Sequence, residues 1–188
     1  SLLVIGLFVF SAVMLLLFIF IESRVAEPII PLGLFKNQIV AISIIVAFLS
    51  SFVMFANATF IPLFFQGVLG VTATASGTLL IPMTLSSTTG SFLSGQLLSR
   101  AGGHYRLQAL VGLGIMIIGV FFLSRMTPET SNTQAVVNMV VTGFGLGITM
   151  PIFAITVQNA VPYKMLGTAT SSVPFFRSLG GSVGLAIF

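Results

Sequence analysis

Arg177 is the one charged residue deep inside a long apolar stretch of this 188-residue chain, in the segment from 166 to 188. A guanidinium about ten residues from the end of such a segment needs a hydrogen-bonding partner or a route to water, which makes it a candidate functional group. The acidic residues Glu22, Glu27 and Glu129 lie in loops or at segment ends, so the sequence shows no carboxylate partner. The alternative is that the long Arg177 side chain reaches back to the polar end of its segment.

Weakly polar side chains form two stripes, in which residues recur at steps of three, four or seven. This spacing places each set on one face of a helix. Polar groups are costly against lipid, so each stripe faces either a neighbouring helix or a cavity, and both alternatives stay open. The first stripe is Ser43, Ser50, Met54, Asn57 and Ile61, and the second is Asn138, Thr142, Gly145, Thr149 and Thr156.

Other chemistries are poorly supported by the composition. The chain has no cysteine and one histidine, which argues against disulfides, thiolate metal sites and a histidine-based metal or catalytic cluster. No nucleophile, base and metal-ligand set can be assembled, so we expect neither an enzyme nor a cofactor. The sequence pI is about 10.4, but six of the seven basic residues are scattered through short loops and form no patch for nucleic acid.

The elements that carry these residues are predicted to be membrane-spanning helices. Hydrophobic residues make up 56% of the chain and charged residues 5%, and no charge occurs between Lys36 and Arg100. Apolar runs of about 20 residues match the length of a helix that crosses the bilayer, and their continuity does not fit the alternation of a barrel strand. We predict an all-α, polytopic membrane protein with six spans, and a turn at Gln66-Gly67 with Gly70 between the second and third. The predicted spans are 2–21, 38–65, 73–98, 107–124, 134–160 and 166–188.

The loop charges predict the orientation of these helices. The first, third and fifth loops hold five basic residues and the other two hold only Arg125, which places the odd loops in the cytoplasm. The first span then starts outside, so a cytoplasmic N-terminus requires an odd number of helices upstream. The chain begins without Met and ends within apolar runs, so we expect a fragment; a signal peptide fits less well because the first span lacks a basic start. The basic residues of the odd loops are Arg24, Lys36, Arg100, Arg106 and Lys164.

Several motifs resemble those of the fourteen-helix drug:proton antiporters of the major facilitator superfamily, the EmrB/QacA type. The stretch "SGQLLSRAGGHYR" is similar to the superfamily's G-x-L-x-D-R-x-G signature, with Ser99 at the acidic position. The stretches "FIPLFFQGVLGVTATASGTLLIP", "GFGLGITMPIFAITVQNAVP" and "GTATSSVPFFRSLGGSVGLA" are similar to helices of the family's C-terminal half, and "PLGLFKN" to the loop after its eighth helix. The residues of the signature loop are Gly95, Leu97, Ser99, Arg100, Gly102 and Arg106.

The resemblance implies a partial major-facilitator fold. Residues 1–36 would be one extra transmembrane helix with a cytoplasmic loop, and 37–188 most of the C-terminal six-helix half, with seven helices missing upstream. Glycines spaced by four let helices approach closely, and prolines let them bend around a cavity, so both packing and hinge roles are open. The packing or hinge candidates are Pro62, Pro82, Gly143, Gly145, Gly147, Pro151, Gly180 and Gly184.

The function implied by the resemblance is proton-coupled efflux of lipophilic drugs or toxic compounds by alternating access, in the plasma or bacterial inner membrane. The partners would be a small-molecule substrate, protons, the lipid bilayer and the N-terminal half of the same chain, which would supply the coupling carboxylate. Arg100 would form a cytoplasmic latch or serve only as a positive anchor. The candidates for the substrate pathway are Ser50, Met54, Asn57, Asn138, Thr142, Thr149 and Arg177.

Other functions remain in competition with drug efflux. A carrier of one defined metabolite, such as a siderophore or a sugar acid, would have the same helices. A non-transporting membrane subunit would match the hydropathy but would not need the glycine and proline motifs. A channel fits less well, because no ring-forming acidic or carbonyl-filter sequence occurs.

Overall fold

The computed structural model describes residues 2–25, 32–68, 70–100 and 105–187, and every regular element in these ranges is a helix. Six long helices follow the six predicted spans, which confirms the all-α fold class. Three of them, α2, α5 and α6, are long and apolar enough to cross a membrane by length and composition. The α-helices are α1 (Leu2–Glu22), α2 (Gln38–Gly67), α3 (Ala73–Thr78), α4 (Ile81–Arg100), α5 (Tyr105–Ser124), α6 (Asn132–Asn159) and α7 (Leu166–Ile187), with 3-10 helices at Leu32–Lys36 and Tyr163–Met165.

The predicted span 73–98 consists of two helices, because α3 ends at Thr78 and α4 begins at Ile81. Pro82 lies in the first turn of α4, where its missing N–H leaves no hydrogen bond unmade. Pro82 therefore marks the start of a helix instead of interrupting one, and its role as a packing or hinge residue stays a prediction. Pro62, Pro151 and Pro174 do lie inside helices.

The turn between α2 and α3 forms where the sequence predicted it. Helix α2 ends at Gly67, and Gly70 has a φ angle of 66°, a left-handed conformation that glycine adopts without a steric penalty. The Gln66 Nε2 donates a hydrogen bond of 2.8 Å to the Ser76 hydroxyl of α3. This side-chain bond ties the two ends of the turn together.

Helix α6 is the centre of the bundle, and it packs against α2, α4, α5 and α7, while α2 and α7 also pack against each other. Asn37, the N-cap of α2, donates from Nδ2 to the carbonyl of Ala160 at the end of α6 with a distance of 2.8 Å. This bond satisfies a carbonyl that the helix end would otherwise leave without a partner. Helix α1 makes no extensive contact with the other described helices, and its described apolar side chains are exposed.

Two apolar clusters hold α2 and α6 together near opposite ends. The first cluster joins the start of α2 to the C-terminal end of α6 and the first half of α7. Its buried residues include Val40, Ile44, Phe153, Val157 and Val173. The second joins the end of α2 to the start of α6 and is built from Ile61, Phe65, Ala135 and Met139. The middle parts of α2 and α6 lie between the two clusters.

Candidate functional site

The contact between α4 and α6 is a backbone-to-backbone contact made possible by glycine. A Cβ placed on Gly143 or Gly147 would approach the backbone of Met83 or Ser87 closer than 3.0 Å, and one on Gly90 would meet the carbonyl of Phe144. Real Cβ atoms essentially never make such contacts, so these positions require the absence of a side chain. The structure therefore places Gly143 and Gly147 in helix packing.

Pro151 creates an additional hydrogen-bonding site in the same contact. An α-helix pairs the N–H of each residue with the carbonyl four residues earlier, so proline at 151 leaves the carbonyl of Gly147 without its helical donor. The hydroxyl of Ser91 on α4 donates to this carbonyl at 2.8 Å. The proline thus frees a carbonyl that the neighbouring helix uses.

The side of α6 that faces α5 is closed in a similar way. A Cβ on Gly145 would overlap the backbone of Met116. The amide of Asn138 donates to the carbonyl of Phe122 at 3.4 Å, and the hydroxyl of Thr142 donates to the carbonyl of Asn138 at 2.8 Å. Asn138 and Thr142 are buried between α5 and α6 and line no cavity next to Arg177, so the structure does not support their assignment to the substrate pathway.

The contact between α2 and α7 also depends on glycine. A Cβ on Gly180 would meet the backbone of Phe48, and one on Gly184 would lie 3.0 Å from the Cα of Phe52. These two glycines face α2 one helical turn apart. Their position accounts for the spacing of four that the sequence displays.

The middle of the bundle holds two adjoining pockets, which together we call the central cavity. The smaller pocket, with room for about one water molecule, lies between α2, α6 and α7. The larger has a volume of about 210 Å³ and lies between α2, α4 and α6. Met54, Leu146 and Met150 line both. The smaller pocket adds Ser50, Ser51, Thr149 and Arg177, and the larger adds Ala58, Leu80, Met83, Thr84 and Ser87.

Arg177 lies halfway along the 22-residue α7, roughly 16 Å from the start of the helix at 1.5 Å per residue. Its guanidinium crosses to α6, where one terminal nitrogen donates to the Met150 sulfur and the other donates to the Met150 carbonyl at 3.3 Å. The side chain therefore stays at the depth of the central cavity instead of reaching for the headgroups.

Two of the hydroxyls beside Arg177 form hydrogen bonds within their own helices. Ser51 donates to the carbonyl of Ala47 and Thr149 to that of Leu146, both at 2.8 Å. A hydroxyl oxygen that donates one hydrogen bond still has lone pairs with which it can accept another. This end of the central cavity is thus polar, whereas the α4 end is lined largely by methionine and leucine.

Asn57 occupies a different site from the other predicted pathway residues. It lines a separate groove of about 380 Å³ between α2 and the end of α5, whose other walls include Phe52, Phe60 and Phe64. Its side-chain nitrogen is buried without a hydrogen-bond partner in the structure. Of the predicted pathway set, the structure brings together Ser50, Met54, Thr149 and Arg177.

Met83 and Met150 were not among the predicted pathway residues. Both methionines adjoin a proline. Met150 also follows Leu146 by four residues, which puts Leu146 and Met150 on one face of α6. The proline neighbours and this spacing are the only sequence signals that could have indicated them.

The signature loop is described only in part, since Gly102 lies outside the described residues. Ser99 donates to the carbonyl of Gln96 within α4, and Arg100 and Arg106 are exposed. A Cβ on Gly95 would meet nothing within 4 Å. Arg100 has no hydrogen-bond or ion-pair partner in the described part of the chain, so a latch would need a partner elsewhere in the protein.

Comparison with known proteins agrees with the fold. The family model "Major Facilitator Superfamily" matches residues 1–185. "Multidrug transporter protein MdtP" of Bacillus subtilis is 36% identical over 98% of this chain and 34% of its own length, and "Multidrug resistance protein 3" of the same organism is 36% identical over 100% and 36%. The "Tetracycline resistance determinant" of Streptomyces rimosus is 33% identical over 97% of this chain and 52% of its own length.

The chain spans about a third of the length of the two Bacillus relatives. The resemblance stated from the sequence motifs is confirmed, as are the helical membrane fold and the location in the cell membrane. This chain therefore belongs to the Major Facilitator Superfamily.

Proposed function

We propose that the whole protein is a secondary transporter, not an enzyme, which exports lipophilic drugs or toxic compounds in exchange for protons by alternating access. The observation that carries this proposal is the central cavity, a methionine-lined space within the helix bundle between two apolar clusters. The names of the related multidrug transporters support the same function. Residues 37–188 would form most of one half of the transporter, and residues 1–36 an additional helix.

The lining of the central cavity suits ligands of varied shape. Met54, Met83 and Met150 are unbranched and polarisable, so their side chains can repack around different apolar surfaces. The hydroxyls of Thr84 and Ser87 add a few polar contacts. A promiscuous carrier needs this combination more than a carrier of one metabolite, which would require a rigid set of hydrogen-bonding groups.

Alternating access requires that the helices around the cavity bend or tilt. Pro62 in α2, Pro151 in α6 and Pro174 in α7 each interrupt the hydrogen bonding of a helix that packs against an apolar cluster. The clusters would open in turn while the glycine contacts hold the helices together. The Arg100 loop would stabilise one of the two states through a partner in the rest of the protein.

Proton coupling requires a titratable residue outside helices α2 to α7. Helices α2 to α7 contain no aspartate, glutamate or histidine in their described residues. A coupling group has to be a side chain whose proton affinity burial can shift. We propose that the N-terminal half of the transporter supplies it.

Blocking the central cavity tests the proposed function. In the full-length protein, Met54→Trp should reduce the export of unrelated lipophilic drugs about tenfold or more, because the indole fills the space that a ligand needs. Leu49→Trp is the matched control, since Leu49 is exposed on the same helix and lines no part of the cavity. Drug susceptibility and dye efflux in a host without its own efflux pumps give the readout. Parent-level export by Met54→Trp would contradict the proposal, and export of a single metabolite would favour the defined-metabolite carrier.

A further inference from the structure

We infer that Arg177 selects compounds that carry an acidic group, so that the preferred ligand is a lipophilic anion. This inference rests on the proposed function and assigns a substrate class to the same cavity. The apolar body of the ligand would lie against Met54, Met83 and Leu146, with its acidic group turned towards Arg177.

The hydrogen bonds of Arg177 leave most of its donors available. A guanidinium has five N–H groups, and the structure gives contacts only to the sulfur and the carbonyl of Met150. Both acceptors are neutral. Arg177 therefore holds a position beside the cavity with its charge uncompensated by the protein residues described.

No carboxylate of the described residues lines the cavity beside this charge. Within the described residues the acidic side chains are Glu22 and Glu129, at the end of α1 and in the turn before α6, and neither lines the central cavity. Arg177 is partly buried, and holding such a cation without a counter-charge is costly, a cost that falls when an anion binds. An incoming acidic group would form a short, charge-assisted hydrogen bond and could be held by two nitrogens at once.

The same charge acts against cationic ligands. Like charges repel strongly where the surroundings are mostly apolar, and the cavity wall beyond Arg177 offers only hydroxyls and methionine sulfurs. A neutral ligand would gain nothing from the charge and lose little. The expected order of affinity is therefore acid, then neutral compound, then cation.

Binding of three probes with the same apolar body tests this order. The probes are 1-pyrenebutyrate, 1-pyrenebutyramide and 1-pyrenebutylammonium, and pyrene fluorescence reports their binding to the full-length protein in lipid nanodiscs. We expect pyrenebutyrate to bind about tenfold more tightly than the amide, because its carboxylate pairs with the guanidinium. Arg177→Gln should abolish this preference and leave the affinity for the amide within about twofold, because the neutral probe does not use the charge.

Two further variants separate the effect of charge from loss of structure. Arg177→Lys keeps the charge without the forked geometry and should retain a reduced preference for the acid. Arg125→Gln removes an equal charge from the exposed turn after α5, where Arg125 stacks on Phe121, and should change no affinity.

Failure of this inference is distinguishable from failure of the proposed function. Equal binding of acid and cation by the parent protein would overturn the acidic-group assignment, and so would an equal loss of acid and amide binding in Arg177→Gln. Neither result would contradict the proposed function in drug export. Absence of binding by all three probes would overturn it as well. The Met54→Trp export experiment reports on the proposed function without any of these probes.

Discussion

The two sides of α6 that face α5 and the central cavity carry similar polar residues but differ in how they are closed. Towards α5, Thr142 and Asn138 bond to main-chain carbonyls while Gly145 lets the helices meet backbone to backbone. Towards the cavity, the side chains of Leu146 and Met150 line an open space, and Arg177 reaches in from α7. One side is solid and the other encloses space.

The difference shows what decides the role of a polar stripe in a membrane helix. A threonine that bonds to its own helix costs little in either setting, so its presence does not indicate a pathway. The residues that alternate with it decide the outcome, because glycine admits a neighbouring backbone and methionine prevents it. The residues between the polar ones, glycine or methionine, therefore distinguish a packing surface from a substrate pathway.

Adding a methyl group to the α5-facing side should have the largest effect. Gly145→Ala places a Cβ against the backbone of Met116, and we expect a loss of roughly 2 kcal/mol or more in the free energy of unfolding, as in other overpacked contacts. Thermal unfolding of the purified full-length protein in detergent measures it. Gly114→Ala is the control, because a Cβ at Gly114 meets nothing within 4 Å, and it should be neutral or stabilising. Equal effects at both glycines would remove the distinction between closed and open surfaces.

The α4-facing side of α6 should show an intermediate effect through Ser91 and Pro151. Ser91→Ala leaves the Gly147 carbonyl without a donor, at a cost of about 1 kcal/mol. Pro151→Ala restores the helical N–H at 151, so Ser91→Ala should cost about 1 kcal/mol less in that background, a coupling that a double-mutant cycle of unfolding measures.

Thr88→Ala provides the matched comparison for this cycle, since its hydroxyl donates to the Thr84 carbonyl within α4. It should show no coupling to Pro151→Ala. A coupling near zero for Ser91 as well would mean that the hydroxyl does not replace the donor lost at the proline.

The sequence predicted the number and limits of the long helices because each is a run of apolar residues between charged or turn-forming ones. It missed the break before Pro82, since the apolar residues Leu79, Leu80 and Ile81 continue through it. The site was harder to predict because Asn138, Thr142 and Thr149 share one helical period. Only the tertiary contacts of Gly112, Gly119 and Gly145 reveal that most of this stripe is covered by α5.

The smallest effect is expected at Arg100, which is the last residue of α4 and lies on neither of the two compared sides of α6. Arg100→Lys keeps the charge that fixes the loop in the cytoplasm and loses the planar set of donors. We expect normal insertion and a reduction in transport of about twofold to tenfold, if the latch contact stabilises one conformation by a charge-assisted hydrogen bond. Insertion is checked by impermeant labelling of Ser131→Cys outside and Tyr163→Cys inside. Transport equal to that of the parent would reduce Arg100 to an anchor.

The most direct test of the central claim is substrate protection of cysteines placed on the two sides. Met54 lines the central cavity and is 37% exposed, whereas Thr142 is 0% exposed beneath α5. In a full-length protein without other cysteines, Met54→Cys should react with a small methanethiosulfonate reagent, and an exported drug should slow that reaction, while Thr142→Cys should stay unreactive. Reaction at Met54→Cys that no exported drug slows, or drug-sensitive reaction at Thr142→Cys, would contradict the assignment of the central cavity as the ligand site.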